Sequence, residues 1–499
     1  MVNALCLLCL LLPQEPASPG PVPKAPAADE DVYVQIVDVP LPEHVVLEVG
    51  GLAVRGEDLF VCTRRGELWR IEGAETATPR CMLWAEGLQE PLGLLDHDGW
   101  LYCAQRGELS RLRDRDGDGV MDELETVASG WPLSGNYHEY CFGPALAADG
   151  TFWLTLNKPF GDEPFGRADW RGWAIRIAPG GTGRTGPYRE FEPVCAGLRS
   201  PAGVGTAPDG SIFYTDNQGE WCATSKFAPL EVGDFHGHPW GIESCKLPES
   251  RVAFPGEVKS GLRIDEAART IPNFRLPAVW IPYDLLGRSP AGFVWDTAGN
   301  FGPFRGQVFC GDQYSSEVFR MSLERVGGRW QGACYPFRRG LKSGITRVAW
   351  GSRGSLWCGL TNRGWGSLGA ATYGLQRLVW RDVVPFDLLE VTARDDGFRL
   401  RFTLPVDAAT ASPAAFTVTS WTYDHHETYG CPPRELRPHA VDGARISADG
   451  SEVDLRVQDL VPTRVYELRC DGVRSRDGAR PPWHGIAWYT RNAAPAGPR

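Results

Sequence analysis

The chain has 499 residues, more than one compact core usually holds, so at least two domains are expected. Its 62 acidic residues outnumber 51 Lys and Arg, giving a formal net charge of −11, and no dense basic run occurs, which argues against a nucleic-acid partner. Abundant Gly (59) and Pro (40), beside 19 Trp, 21 Phe and 14 Tyr, favour many short strands joined by turns over long helices.

The chain opens on an apolar run, Ala4 to Leu12, far too short for a membrane span. It fits the core of a signal peptide, with small residues following near Ala17-Ser18, although no Lys or Arg precedes it. Residues 1–30 are therefore expected to be a leader and a Pro/Ala-rich linker. The protein would then be exported: periplasmic, cell-surface or secreted.

Six later segments share one short pattern, a turn followed by an apolar strand. They are Glu57 to Cys62, Asp98 to Cys103, Asp149 to Leu154, Asp209 to Tyr214, Arg305 to Cys310 and Arg353 to Cys358. Strands flank most of these turns, as in Pro201 to Val204 before and Glu67 to Ile71 after. Each unit reads as a small antiparallel sheet. A lone sheet cannot bury both faces, but six packed radially can. The expected fold is all-β: a six-bladed β-propeller over 31–384. Val32 to Val39 would pair with the last blade and close the ring.

The second unit carries the strongest local motif, Asp114-Arg115-Asp116-Gly117-Asp118-Gly119-Val120-Met121-Asp122-Glu123-Leu124-Glu125. It matches the twelve-residue EF-hand loop. Asp114, Asp116, Asp118, the Val120 carbonyl, Asp122 and a bidentate Glu125 are the expected ligands, because calcium wants six to eight hard oxygens. The flanks read as strands, Leu109 to Leu112 and Thr126 to Ser129. A structural staple is expected, since no helix pair is present to open.

The repeat also places cysteines. Cys62, Cys103, Cys310 and Cys358 fall at one equivalent blade position, where free, buried thiols are expected. Cys222 and Cys245 are a candidate bridge. From about Phe386 the pattern changes to alternating strands: Leu388 to Thr392, Phe398 to Leu404, Phe416 to Tyr423, Val453 to Val457, Arg464 to Cys470 and Gly485 to Tyr489. Residues 385–494 are read as a small immunoglobulin- or fibronectin-like β-sandwich, a module that binds a protein or glycan or acts as a spacer.

In a propeller, the loop after each turn-preceded strand and the loop entering the next blade share one face, around the central channel. Here the first set carries Arg64, Gln105-Arg106, Asn157-Lys158, Asn217-Gln218, Asp312-Gln313 and Asn362-Arg363. The second carries Gln89-Glu90, Asn136 to Glu139, Arg199-Ser200, Arg288-Ser289 and Lys342-Ser343. Such a ring of hydrogen-bonding and cationic groups suits a sugar or another polyhydroxylated or anionic ligand.

Several motifs, in order, carry a resemblance: His138 ahead of Phe142-Gly143-Pro144, Leu198 to Gly203, Asp216 to Trp221, Gly237-His238-Pro239 and Gly311-Asp312-Gln313. Over about residues 45–380 the chain resembles the soluble glucose/sorbosone dehydrogenase family, six-bladed propellers that use pyrroloquinoline quinone and calcium. It looks closest to a propeller-plus-sandwich branch found beside haem-binding modules in exported bacterial proteins. The resemblance implies hydride transfer from a sugar or polyol hydroxyl to the quinone. His138 would be the general base and Arg199 would polarise a quinone oxygen. Arg347 and Arg363 would hold the cofactor's carboxylates, with Asn217, Gln218, Asp312 and Gln313 as further cofactor contacts. The family carries small residues after the base histidine, where this chain has Glu139-Tyr140-Cys141. The EF-hand-like loop is not the family's usual cofactor-site calcium. No Cys-x-x-Cys-His occurs, so any electron acceptor is separate, a c-type cytochrome being one such. Two alternatives compete: a non-catalytic calcium-stabilised propeller that binds glycans or partners, and a calcium-dependent lactonase or hydrolase.

Overall fold

A computed structural model describes residues 30–161, 168–178 and 191–495. The expected leader, residues 1–29, lies outside them. Among the described residues no helix is long and apolar enough to cross a membrane.

Six four-stranded antiparallel sheets are built as the repeat predicts. In chain order their innermost strands are Val49–Arg55, Leu94–His97, Cys141–Leu146, Pro201–Thr206, Pro290–Trp295 and Ile345–Trp350. Each packs against the next, and the sixth packs against the first, so the ring closes. The turn-preceded segments form the second strands, and their side chains are the blade cores. In the first blade Leu59, Val61, Leu68 and Ile71 are fully buried, each contributing about 1.5–3 kcal/mol over its exposed state. Glycine lets the inner strands converge: a Cβ at Gly93 would stand 1.7 Å from the Gly143 carbonyl oxygen of the next blade.

The ring is fastened by the start of the described chain. Val34–Asp38 pairs antiparallel with Tyr373–Trp380 as the outermost strand of the sixth blade, Val34 opposite Trp380. Glu30, expected to end the linker, belongs to the folded body. It is 1% exposed, and its carboxylate binds Arg338 and Arg339.

Two further sheets form the C-terminal sandwich. One holds Leu388–Ala393, Gly397–Phe402, Val441–Ile446 and Glu452–Val457; the other holds Thr417–Thr422, Arg434–His439, Arg464–Arg469 and Ile486–Arg491. Phe398, Leu400, Leu455, Tyr466, Leu468 and Tyr489 fill the space between them. The second sheet is continuous with the fifth blade, because Ile486–Arg491 pairs with the blade's outer strand, Arg329–Arg338. Sandwich and propeller thus share backbone hydrogen bonds.

Cys62, Cys103, Cys310 and Cys358 are buried and free. The expected Cys222–Cys245 bridge is corrected: both are free thiols. Cys222 is buried in the turn after the fourth blade's second strand, its thiol turned to the Thr224 carbonyl. Cys245 sits in the helical turn Ile242–Lys246 and packs against the third-blade core.

Candidate functional site

The two sets of loops do meet on one face. They enclose a cavity of about 430 Å³ lined by Arg64, His138, Asn157, Arg199, Ser200, Asn217, Gln218, Arg288, Gln313 and Arg363, a volume suited to a small-molecule ligand. Arg347 and Phe142 also line it.

His138 is 6% exposed. Asn136 sets its position, the Asn136 Oδ1 accepting from the His138 and Phe160 amides at 3.0 and 3.2 Å. The Lys158 carbonyl lies 2.6 Å from Nδ1. A carbonyl only accepts, so Nδ1 carries the proton and Nε2 offers its lone pair. Nε2 faces the Ser200 hydroxyl at 3.1 Å. Phe160 stacks on the ring, centroids 3.4 Å apart. Burial pushes the imidazolium down to about 3, helped by the Arg199 and Lys158 charges, against the pull of the Lys158 carbonyl. Of the residues after the histidine, Tyr140 does pack edge-on against its ring, centroids 5.2 Å apart. Glu139 turns inward to accept from the Ser134 and Gly135 amides, and Tyr140 lies under Arg64.

Arg199 lies beside this histidine, its guanidinium carbon 4.8 Å from the Phe160 ring centre. Its Nε and Nη2 donate to one Glu220 oxygen at 3.1 and 2.9 Å. Lys158 Nζ reaches the other Glu220 oxygen at 2.6 Å. Burial raises the Glu220 carboxyl, yet His238, Arg199 and Lys158 together hold it well below the usual carboxylate range. Beneath them, Asp216 accepts from the Arg199 and Ser200 amides at 3.0 and 2.7 Å.

The expected cofactor residues separate into groups. Asn217, Gln218, Gln313 and Arg363 line the cavity. The Arg363 side chain pairs with Glu48 at 2.7 Å. Arg347 crosses the channel floor: Nη1 donates to the Ala202 carbonyl at 2.8 Å and Nη2 to the Leu92 carbonyl at 2.6 Å. It also lines the smaller cavity of about 110 Å³ with the inner-strand glycines Gly93, Gly203 and Gly292. Burial lowers its pKa to about 10.

Asp312 is corrected: it is fully buried and absent from the cavity wall. Its carboxylate accepts from the Arg288 and Ser289 amides at 2.9 and 2.7 Å. It pins the loop, as Asp216 does one blade earlier. Sequence reasoning missed Phe160, Tyr283 and Tyr429, the last contributed by the sandwich.

The donor set fits an anionic ligand. Arg199 and Lys158 share Glu220, Arg64 and Arg106 share Glu90, and Arg347 meets carbonyls instead of a carboxylate. Among the described residues Arg64 and Arg106 thus divide one carboxylate, and Arg347 meets none. Among the described residues two buried acceptors, Asn157 Oδ1 and Asn217 Oδ1, have no hydrogen-bond partner, and an unmet buried acceptor is costly.

The acidic loop lies away from the mouth, between Glu108–Arg113 and Glu123–Ser129. Carboxylate oxygens of Asp114, Asp116 and Asp122 come within 4.8 Å of one another, a partial set of hard oxygens for calcium. Asp118, which accepts from the Val120 amide at 2.8 Å, is not among the three that converge. Glu125 is corrected as a ligand. It lies in the returning strand opposite Arg111 and pairs with it at 2.5 Å, because cross-strand register turns it from the loop. Met121 donates its amide to the Trp84 carbonyl at 2.9 Å, tying the loop to the first blade.

No family model matches the chain, and no curated protein matches it. Solved structures do. A pyrroloquinoline-quinone-bound aldose sugar dehydrogenase from Streptomyces coelicolor is 18% identical, over 71% of this chain and 99% of that one, with a TM-score of 0.48. The soluble aldose sugar dehydrogenase of Escherichia coli is 16% identical, over 70% and 100%, with a TM-score of 0.46. The quinone domain of a Coprinopsis cinerea pyranose dehydrogenase is 11% identical, over 69% and 95%, with a TM-score of 0.48. The chain is similar to these structures in fold.

Proposed function

We propose that the protein is an exported sugar dehydrogenase that works at the propeller mouth with pyrroloquinoline quinone. The observation that carries this is the His138 imidazole: its Nδ1 proton is fixed on the Lys158 carbonyl, which leaves the Nε2 lone pair, facing Ser200, to accept a proton at the cavity wall. When bound, the quinone supplies a hydride acceptor. Arg199, Arg64, Arg347 and Arg363 would hold its three carboxylates and a quinone oxygen, which the shared Glu90 and the carbonyl-bound Arg347 support. His138 Nε2 takes the proton of the sugar hydroxyl as the C–H hydride departs, displacing its bond to Ser200. Arg199 keeps a fixed positive charge where negative charge develops, and Glu220 keeps that side chain in place. Asn157 and Asn217, which line the cavity, would face the sugar's other hydroxyls. An acceptor protein, a c-type cytochrome for example, would then take the electrons. The acidic loop would hold calcium through Asp114, Asp116 and Asp122, stapling the first two blades.

The test is purified protein with calcium and the quinone, dye reduction followed over a panel of aldoses. Turnover that vanishes in His138→Ala, with quinone uptake retained, supports the reading. Quinone uptake by neither protein defeats it.

One observation favours a second reading. Ser200 Oγ and His138 Nε2 at 3.1 Å have the spacing of a nucleophile and its base, which suits lactone or ester hydrolysis. Ser200→Ala separates the two: it abolishes hydrolysis in the second and leaves hydride transfer in the first.

A further inference from the structure

We propose that Tyr429, carried by the C-terminal sandwich, is the wall of the mouth on which a pyranose ring stacks, and so selects cyclic sugars over open-chain polyols. This rests on reading the mouth as a sugar site.

Tyr429 lies between the sandwich strands Thr417–Thr422 and Arg434–His439. This connection leaves the sandwich and lies along the fourth blade. His426 O accepts from the Trp221 amide at 2.8 Å, and the Gly430 and Cys431 amides donate to Gly219 O and Ala223 O at 3.0 and 2.7 Å. His425 packs its ring against Trp221 and Phe274. Gly430 touches Gln218 so closely that a Cβ would come within 2.7 Å of it. The segment is therefore held at both ends by backbone hydrogen bonds and close packing.

Its tyrosine is nevertheless 53% exposed, and the exposed ring lines the cavity. The Arg199 guanidinium lies 5.2 Å from the ring centre. A tyrosine kept only for packing would bury its ring. A rigid aromatic face in a largely apolar cavity edged by charged and amide groups suits a ligand with an apolar face and polar edges, and it loses little conformational entropy on binding. A pyranose has such a shape: its C–H face covers the ring while its hydroxyls meet polar residues of the wall such as Gln218 and Gln313. A flexible polyol presents no such face. The sandwich is then part of the site as well as a neighbour of it.

The test uses the full chain with calcium, as wild type, Tyr429→Ala and Tyr429→Phe. Calorimetric titrations use methyl β-D-glucopyranoside and sorbitol as probes, which requires no turnover. Tyr429→Ala should weaken glucoside binding roughly tenfold and leave sorbitol nearly unchanged. Tyr429→Phe should stay within about twofold of wild type, since stacking is retained. With the quinone loaded, KM for an aldose should rise in Tyr429→Ala while kcat and quinone affinity hold. Near-ultraviolet circular dichroism checks folding, and Tyr429→Leu replaces the alanine variant if that one does not fold. Unchanged glucoside affinity without the aromatic ring overturns the proposal, as does a wild type that binds no glucoside. A wild type that binds glucoside through Tyr429 but reduces no dye sustains the wall and defeats the dehydrogenase reading.

Discussion

The Arg199 guanidinium lies on the backbone of Gly219: a Cβ there would stand 1.9 Å from the guanidinium carbon. The clashing atoms are the far end of a flexible side chain, so the arginine gives way and the fold does not. Lys158 still neutralises Glu220, which limits the loss of stability. Gly219→Ala should therefore leave the melting temperature close to wild type while turnover falls by about 10²-fold, the usual cost of a lost transition-state donor. Steady-state kinetics beside a thermal melt check it. A variant with wild-type kcat removes Arg199 from the chemistry.

His138 sets the pH profile. Its ordinary value of 6.5 is pushed down to about 3, so the neutral base persists until the pH falls that far. The rate kcat/KM should show no histidine limb near 6.5 and should fall only in strong acid. The sign for stability is separate. The unfolded chain takes its proton near 6.5, so the folded state loses stability as pH drops from there toward about 3. His238 and His425 are lowered too, to about 4 and about 3, and act in the same direction. Denaturant melts at stepped pH check this, and His138→Gln should flatten the acid-side loss.

The propeller was legible because six turn-plus-strand units repeat, and each needs its neighbours to bury its faces. The alternating strands of the sandwich were legible for a similar reason. Arg434–His439 escaped because it is nearly all exposed, so no apolar period marks it. The mouth was half legible. Chain topology brings Arg64, His138, Arg199 and Arg363 to one face, but it does not say which polar residue is spent on its own loop. Asp312 looked like a ligand and is a buried acceptor for amides. Glu125 matched a ligand position, but strand register gave it to Arg111. Tyr429 had no signal, because its placement depends on pairing with residues 219–223, far away in sequence.

A buried charge cluster clamps the segment at Glu30, the fifth blade and the sandwich together. Glu30 meets Arg338 and Arg339 at 3.0 and 3.2 Å, and His484 Nδ1 meets Asp387 at 3.2 Å. Burial works against the Glu30 carboxylate, yet His484, Arg339 and its amide hydrogen bond hold it at about 2. Its contribution is complete above its ordinary 4.5 and is lost as pH falls through about 2. His484 is raised despite its burial, because its Nδ1 lies 3.2 Å from the Asp387 carboxylate and Glu30 adds its charge 3.9 Å from Nε2. Its contribution is complete below 6.5 and is lost as pH rises through the folded value. The clamp should be strongest between about 4.5 and 6.5. Removing one partner strands the others, so Glu30→Gln should cost about 3–5 kcal/mol in denaturant melts. A loss under about 1 kcal/mol would detach the cluster from the stability of the fold.

The acidic loop yields a prediction in which sequence and structure differ. By sequence, Glu125 is the bidentate twelfth ligand. In the fold it is 46% exposed at its side chain and paired with Arg111, while Asp114, Asp116 and Asp122 converge. Without a cation these three carboxylates repel, so calcium should raise the melting temperature and a chelator should lower it. Asp114→Asn should abolish that calcium-dependent shift, because Asp114 also accepts from the Gly117 and Gly119 amides and orders the turn. Glu125→Gln should keep most of it, losing only an exposed ion pair worth at most about 1 kcal/mol. Equal loss of the calcium shift in both variants would mean that Glu125 leaves Arg111 to grip the ion, and that the strand opens by a residue pair when it does.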